Sequence, residues 1–167
     1  MELDRVSAEI LRAVIGNEPE PAPVRTRKDE PGSADHWTPP VLLERGAYLR
    51  KLAQAGSGEA GETLKQYPRH CAMLSFRGRN GEVEVHKEFA DLFVVLSGSA
   101  SLVTGGTVVN AREIKPGEIR GDSIEGGKVQ ELRQHDVIHV PAGTPHQFLV
   151  SGEKTVLSLV MKIQESD

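Results

Sequence analysis

The stretch from Val137 to Val150 constrains the fold of this chain more than any other. A β-branched run, Val137-Ile138-His139-Val140, is stopped by Pro141-Ala142-Gly143-Thr144-Pro145, and a second run, Gln147-Phe148-Leu149-Val150, follows directly after His146. Proline has no place in the ladder of a central strand, and glycine supplies the backbone freedom that a tight turn needs. The segment therefore reads as strand, turn, strand, with the turn delivering His146 into the interior of a sheet.

The same grammar runs upstream. From Tyr67 onward, short apolar runs are broken by turn residues, the pattern of an antiparallel sandwich or barrel. In Glu82-Val83-Glu84-Val85-His86 polar and apolar residues alternate, so Glu84 and His86 share one face of a strand while Val83 and Val85 share the other. Asp91 follows shortly after, before the apolar run Leu92 to Leu96 and a turn at Ser97-Gly98.

These two segments resemble the paired motifs of the cupin superfamily. Gly78, Glu84-Val85-His86, Asp91 and Gly98 match the spacing of the first motif at every step, with Glu84 where the motif has its first histidine and Asp91 where it has a glutamate. His135, Pro141-Ala142-Gly143, His146 and Val150 match the second, with His135 at a turn-glycine position and Val150 at that of a final asparagine. The likeness covers roughly residues 68–163. It implies an all-β fold, the cupin double-stranded β-helix or jelly-roll barrel, here with a short helical N-terminal extension. Residues 1–66 then read as a helical and proline-rich extension, 67–164 as the barrel and 165–167 as a tail.

Within the extension, Leu3, Val6, Ile10, Leu11, Val14 and Ile15 fall near helical spacing, an apolar face suited to docking on the barrel or on a second subunit. Since cupin sheets commonly pair across subunits, a homodimer is expected. Asn17 to Pro40 carries six prolines and reads as an extended linker, in which Trp37 is a packing anchor for its large apolar ring. Leu42 to Leu52 reads as a helix, and Ala55 to Gly61 as a glycine-rich loop. Between the two motifs, Gly105 to Gln134 suggests an extra hairpin or a loop across a barrel mouth, which makes Arg120, Asp122, Ser123 and Glu125 candidates for substrate contact.

Composition excludes more than it suggests. A net charge of −4, with no basic cluster, argues against a nucleic-acid partner. The single cysteine, Cys71, cannot form an intrachain disulfide, and no apolar run approaches the length of a membrane span, so a cytoplasmic protein without membrane partners is expected. There is no phosphate-binding loop, dinucleotide fingerprint or nucleophile elbow.

The resemblance implies that Glu84, His86, Asp91 and His146 converge inside the barrel. Two imidazoles with one or two carboxylates suit Fe(II), Mn(II), Zn(II) or Ni(II) as a bound divalent cofactor. Glu84 reads as a ligand, a general base or the partner of an arginine, and Asp91 as a direct or water-mediated ligand or a turn cap; both are catalytic candidates. Glu88 is a substitute ligand if the strand continues, whereas His70, His135 and His139 are read as structural. The expected function is a metal-binding cupin whose cavity takes a small polar molecule such as a sugar derivative, a keto acid or another carboxylate, with dioxygenase, isomerase or epimerase, or decarboxylase chemistry. A non-catalytic ligand-binding or sensing barrel is the alternative, and a metal-free barrel, in which Glu84 pairs with an inward arginine or histidine, is a third.

Overall fold

The structure is a computed structural model and describes residues 34–165; the apolar Leu3 to Ile15 segment and most of the proline-rich linker lie outside the described residues. One helix, α1 (Pro39–Ala55), precedes twelve strands: β1 (Glu59–Gln66), β2 (His70–Arg77), β3 (Val83–His86), β4 (Phe89–Thr104), β5 (Thr107–Val109), β6 (Arg112–Lys115), β7 (Glu118–Gly121), β8 (Ser123–Glu125), β9 (Lys128–Arg133), β10 (Val137–Val140), β11 (His146–Leu149) and β12 (Val156–Gln164). A single antiparallel sheet curls through the order β1-β2-β12-β4-β11-β3-β7-β6, with β9 and β10 also paired to β4.

Strand β4 makes the curl. Its first half pairs with β12 and β10, and its second half with β11 and β9, so one strand belongs to both halves of the barrel. The corner falls at Gly98, whose φ of 80° is in the left-handed region and where any Cβ would strike the Thr155 carbonyl. Only glycine fits both demands. His135 has the same backbone handedness, with φ 76°, at the position where the cupin motif has its turn glycine. Its turn is held by Arg133 N, which donates to Asp136 Oδ2 at 2.8 Å.

Strand parity separates two cores. Phe93, Val95, Leu102, Phe148, Val156 and Val160 fill the space between the two halves of the curled sheet. On the outer face, Leu74, Phe76 and Leu157 are covered by Leu42, Leu49 and Ala53 of α1. The helix lies so close there that a Cβ on Gly46 would collide with the Leu157 side chain. Trp37 packs against this outer core, as its anchor reading required.

Local structure departs from the sequence reading in two places, and in a third it has the extra hairpin and not the loop across a mouth. The helix begins at Pro39, not after Pro40, because prolines in the first turn give up only N–H groups that have no helical acceptor. Glu59–Gln66, partly read as loop, is a strand whose only sheet neighbour is β2; an edge strand tolerates its glycine and charges. The 105–134 segment is a hairpin within a ribbon: β6 and β7 extend the sheet beside β3, while β5 and β8 form a separate two-stranded ribbon. Val108 of that ribbon lies against Gly121, so the ribbon backs the face of β7 that points away from the cavity and does not cross a mouth.

Candidate metal centre

Four inward side chains meet at one end of the inner core. β3 presents Glu84 and His86, β4 presents Asp91, and β11 presents His146, which lies opposite Glu84 in the strand register. The turn between β10 and β11 is fixed to this point: Gly143 N donates to the His86 carbonyl at 2.7 Å. The His86 and His146 rings stand 5.4 Å apart, centre to centre, and both are buried.

Each ring has one nitrogen engaged and one aimed at the centre. His86 Nδ1 is 2.6 Å from Glu118 Oε2, and His146 Nδ1 is 3.1 Å from the Thr144 carbonyl. Donation from Nδ1 sets the tautomer and leaves the Nε2 lone pair available. His86 Nε2 is buried and makes no hydrogen bond. Around it stand Glu84 Oε2 at 3.4 Å and Asp91 Oδ2 at 3.3 Å; the same Asp91 oxygen is 3.4 Å from His146 Nε2.

The carboxylates are in turn held by cations. Glu84 Oε1 accepts from Arg77 Nη2 at 2.7 Å, and Arg120 Nη2 approaches Glu84 Oε2 at 3.7 Å. Lys162 Nζ donates to Asp91 Oδ1 at 3.1 Å, and Arg120 Nη1 to Glu118 Oε2 at 3.3 Å. Burial works against charge on Glu84, but His86 and then Arg77 outweigh it and hold the carboxyl down to about 2. Burial likewise disfavours charged Asp91, and the rings of His146 and His86 with Lys162 keep it well below the usual carboxylate range. For His86, burial opposes protonation but the Asp91 and Glu84 carboxylates prevail and push it up to about 9.

No family model matches the chain, and no curated protein matches it. The fold superposes on the crystal structure of TT1209 from Thermus thermophilus with a TM-score of 0.52 and 18% identity, covering 73% of this chain and 93% of that one. A conserved double-stranded β-helix protein from Klebsiella pneumoniae subsp. pneumoniae aligns with a TM-score of 0.49 and 15% identity over 65% of this chain and 79% of that one. Rru_A2000 from Rhodospirillum rubrum, a cupin-2 domain, aligns with a TM-score of 0.47 and 16% identity over 66% of this chain and 62% of that one. The curled antiparallel sheet, with both motif segments facing one cavity, decides the assignment of fold. This chain has the cupin fold.

A divalent ion fits the residues of this site. Donor atoms of Glu84, His86 and His146 all lie within 4.8 Å of one another. Ligands at about 2.0–2.2 Å from one ion stand about 3.0–3.5 Å apart, the spacing that Asp91 Oδ2 already keeps from both Nε2 atoms. The unsatisfied Nε2 of His86 is the stronger sign, because a buried polar atom without a partner is costly unless something else binds it. The oxygen and nitrogen donor set admits the divalent metals named from the sequence. Cys71 does not alter it: burial pushes its thiol up, away from the thiolate form.

Other candidates sit elsewhere. Glu88 is exposed beyond the end of β3, because the chain bends at Lys87-Glu88. Asp122 accepts from Asn110 Nδ2 at 2.8 Å on the surface, and Ser123 and Glu125 are exposed; of the four insertion residues only Arg120 reaches the site. His70 stacks on Tyr67 with ring centres 4.2 Å apart, and His139 is exposed near Glu165.

Sequence reasoning missed Glu118, Arg77 and Lys162. A signal for the first was present: Glu118 and Arg120 alternate as Glu84 and His86 do, and the register sets Arg120 opposite Glu84 and Glu118 opposite His86. Cross-strand charge complementarity could have paired the two segments.

Proposed function

We propose that this cupin binds a divalent metal ion through His86, His146 and Glu84, with Asp91 beside them, and admits a small polar molecule to the adjoining cavity. The observation that supports it best is the buried, unpartnered Nε2 of His86 facing two carboxylates while its Nδ1 is committed to Glu118. When bound, the ion would act as a Lewis acid toward a substrate oxygen or water or, as iron, in redox chemistry.

This chain's own residues supply the rest. Glu118 and the Thr144 carbonyl orient the two imidazoles, and Arg77 and Lys162 hold Glu84 and Asp91 against rotation. Glu84 or Asp91 would manage a proton should the ligand react. On this reading the chemistry is of dioxygenase, isomerase or epimerase, or decarboxylase type, with ligand binding without turnover as the alternative.

A metal-free barrel is the second reading, and one observation favours it: Glu84 pairs with an inward arginine, Arg77, as that reading requires. Elemental analysis of untagged protein separates the two. Near-stoichiometric metal in wild type, absent from the His86→Ala/His146→Ala variant, is the expected result. Negligible metal in both after incubation with divalent ions, together with a melting temperature that chelators leave unchanged, would leave the metal-free barrel standing.

A further inference from the structure

Beside the four inward residues lies a cavity of about 110 Å³, with Arg77 and Lys162 among its lining and Met73, Phe93, Phe148 and Val160 as its apolar wall. At the liquid's share of about 30 Å³ per molecule, this space holds about three or four waters, far less than the ~300–1,000 Å³ of pockets for larger organic ligands. The space beside the four inward residues suits a group of a few heavy atoms. The lining mixes two chemistries, with the Arg77 guanidinium over the Phe148 ring, 5.9 Å from its centre.

Charge points the same way. The carboxylates of Glu84, Asp91 and Glu118 are matched by Arg77, Arg120 and Lys162, while Glu59, nearer the surface, pairs with Arg77 and with exposed Arg79. That network is balanced when the imidazoles are neutral, as ligands must be. A divalent ion adds two positive charges to a confined site, and whatever share of Glu84 and Asp91 it takes is withdrawn from Arg77 and Lys162. An ammonium has three donors, and among the described residues Lys162 Nζ, which lines the cavity, donates to the two oxygens of Asp91.

We propose that the metal-loaded cavity takes a small carboxylate of about three to five heavy atoms, its charged end toward Arg77, Lys162 and the ion and its carbon skeleton against Phe93, Phe148 and Val160. The inference rests on the metal reading and adds the class of ligand. It also couples the two ligands: the ion strengthens binding of the anion, and by reciprocity the anion tightens the ion. Inorganic oxyanions such as phosphate carry the charge but offer nothing to the apolar wall.

Mn(II) is the probe. Its capture by the full-length protein is read from loss of the free-ion electron paramagnetic resonance signal, and access of a second ligand from the fall in water proton relaxation enhancement. Acetate is expected to lower the enhancement, whereas acetamide at tenfold higher concentration and phosphate at equal concentration leave it unchanged. Arg77→Gln and Lys162→Gln are each expected to weaken acetate tenfold or more, compared at Mn(II) concentrations that saturate each variant; if the Arg77 variant fails to fold, by circular dichroism, Lys162→Gln carries the comparison alone. Mn(II) captured but acetate no better than acetamide or phosphate, or bound equally well by metal-free protein, overturns the inference and leaves the metal reading intact. No Mn(II) captured overturns both.

Discussion

Strand β2 has two faces that meet opposite fates. Outward, Leu74 and Phe76 disappear under α1 into an apolar layer closed by Leu42, Leu49 and Leu157. Inward, Met73, Ser75 and Arg77 line a cavity that also holds Glu84, Asp91, His146 and Lys162. Along one strand, alternate side chains are thus assigned to holding the barrel together and to its chemistry. The outer face is mostly apolar, its buried Arg45 satisfied by Glu62 of β1. On the inner face each charge is tied to another, so that a change of one partner is felt by its neighbours.

That division can be attacked from either side. The largest effect is expected on the outer face: Leu49→Ala, at a residue with 2% exposure, removes contacts from both the helix and the sheet and is expected to cost about 2–5 kcal/mol in chemical denaturation. Metal stoichiometry at low denaturant should be unchanged. Loss of metal from the folded variant would show that the two faces are not independent.

The inner face gives the next effect. Glu118→Gln keeps the size of the side chain but removes the charge that orients His86, and a fall of about 10–100-fold in metal affinity is expected, measured by competition with a chelator of known strength. The unfolding midpoint of metal-free protein should move far less than in Leu49→Ala. An unchanged affinity would mean that Glu118 does not position the ring.

The pH dependence of metal-free stability sharpens the contrast, since only the inner face titrates. His86 is raised to about 9, so its contribution is complete below its unfolded value near 6.5 and is lost as pH climbs from there through 9. Glu84 is lowered to about 2, so its contribution is present above its unfolded value near 4.5 and is lost as pH falls through 2. The metal-free protein should therefore be most stable between about pH 4.5 and 6.5, by denaturation at a series of pH values. Bound metal must displace the His86 proton, which shifts the optimum upward. A metal-free optimum above pH 8 would contradict the assigned network.

The smallest effect is remote from both faces. His135 holds a left-handed backbone that costs a non-glycine residue about 1 kcal/mol, so His135→Gly should leave the midpoint unchanged or raise it by up to about 1 kcal/mol, the relief of strain being set against the freer unfolded chain. A clear loss would reveal that the imidazole makes a contact of its own.

Much of this arrangement was legible beforehand because it is local. Spacing around Gly78, Glu84-Val85-His86, Asp91 and Gly98 carries strand parity and turn position, and the proline-glycine turn before His146 carries the second half of the site. The positive φ of His135 follows from its place in the motif. What stayed hidden depends on which strand lies beside which. Arg77 and Lys162 come to the site from β2 and β12, and nothing in the composition of those strands names their neighbours; Glu118 comes from β7, where only the charge alternation with Arg120 hints at β3. The same holds for β1, whose charged, glycine-containing sequence becomes a strand only because β2 offers an edge.

The place of β12 has a consequence in time. It is the last described strand in chain order, yet it lies in the middle of its half of the sheet, between β2 and β4. Until Val156–Gln164 has left the ribosome, β2 and β4 have no common neighbour, and Val160 and Lys162 are missing from the cavity. The nascent chain must therefore wait with the inner faces of its earlier strands open, and the pocket is completed only once β12 has emerged.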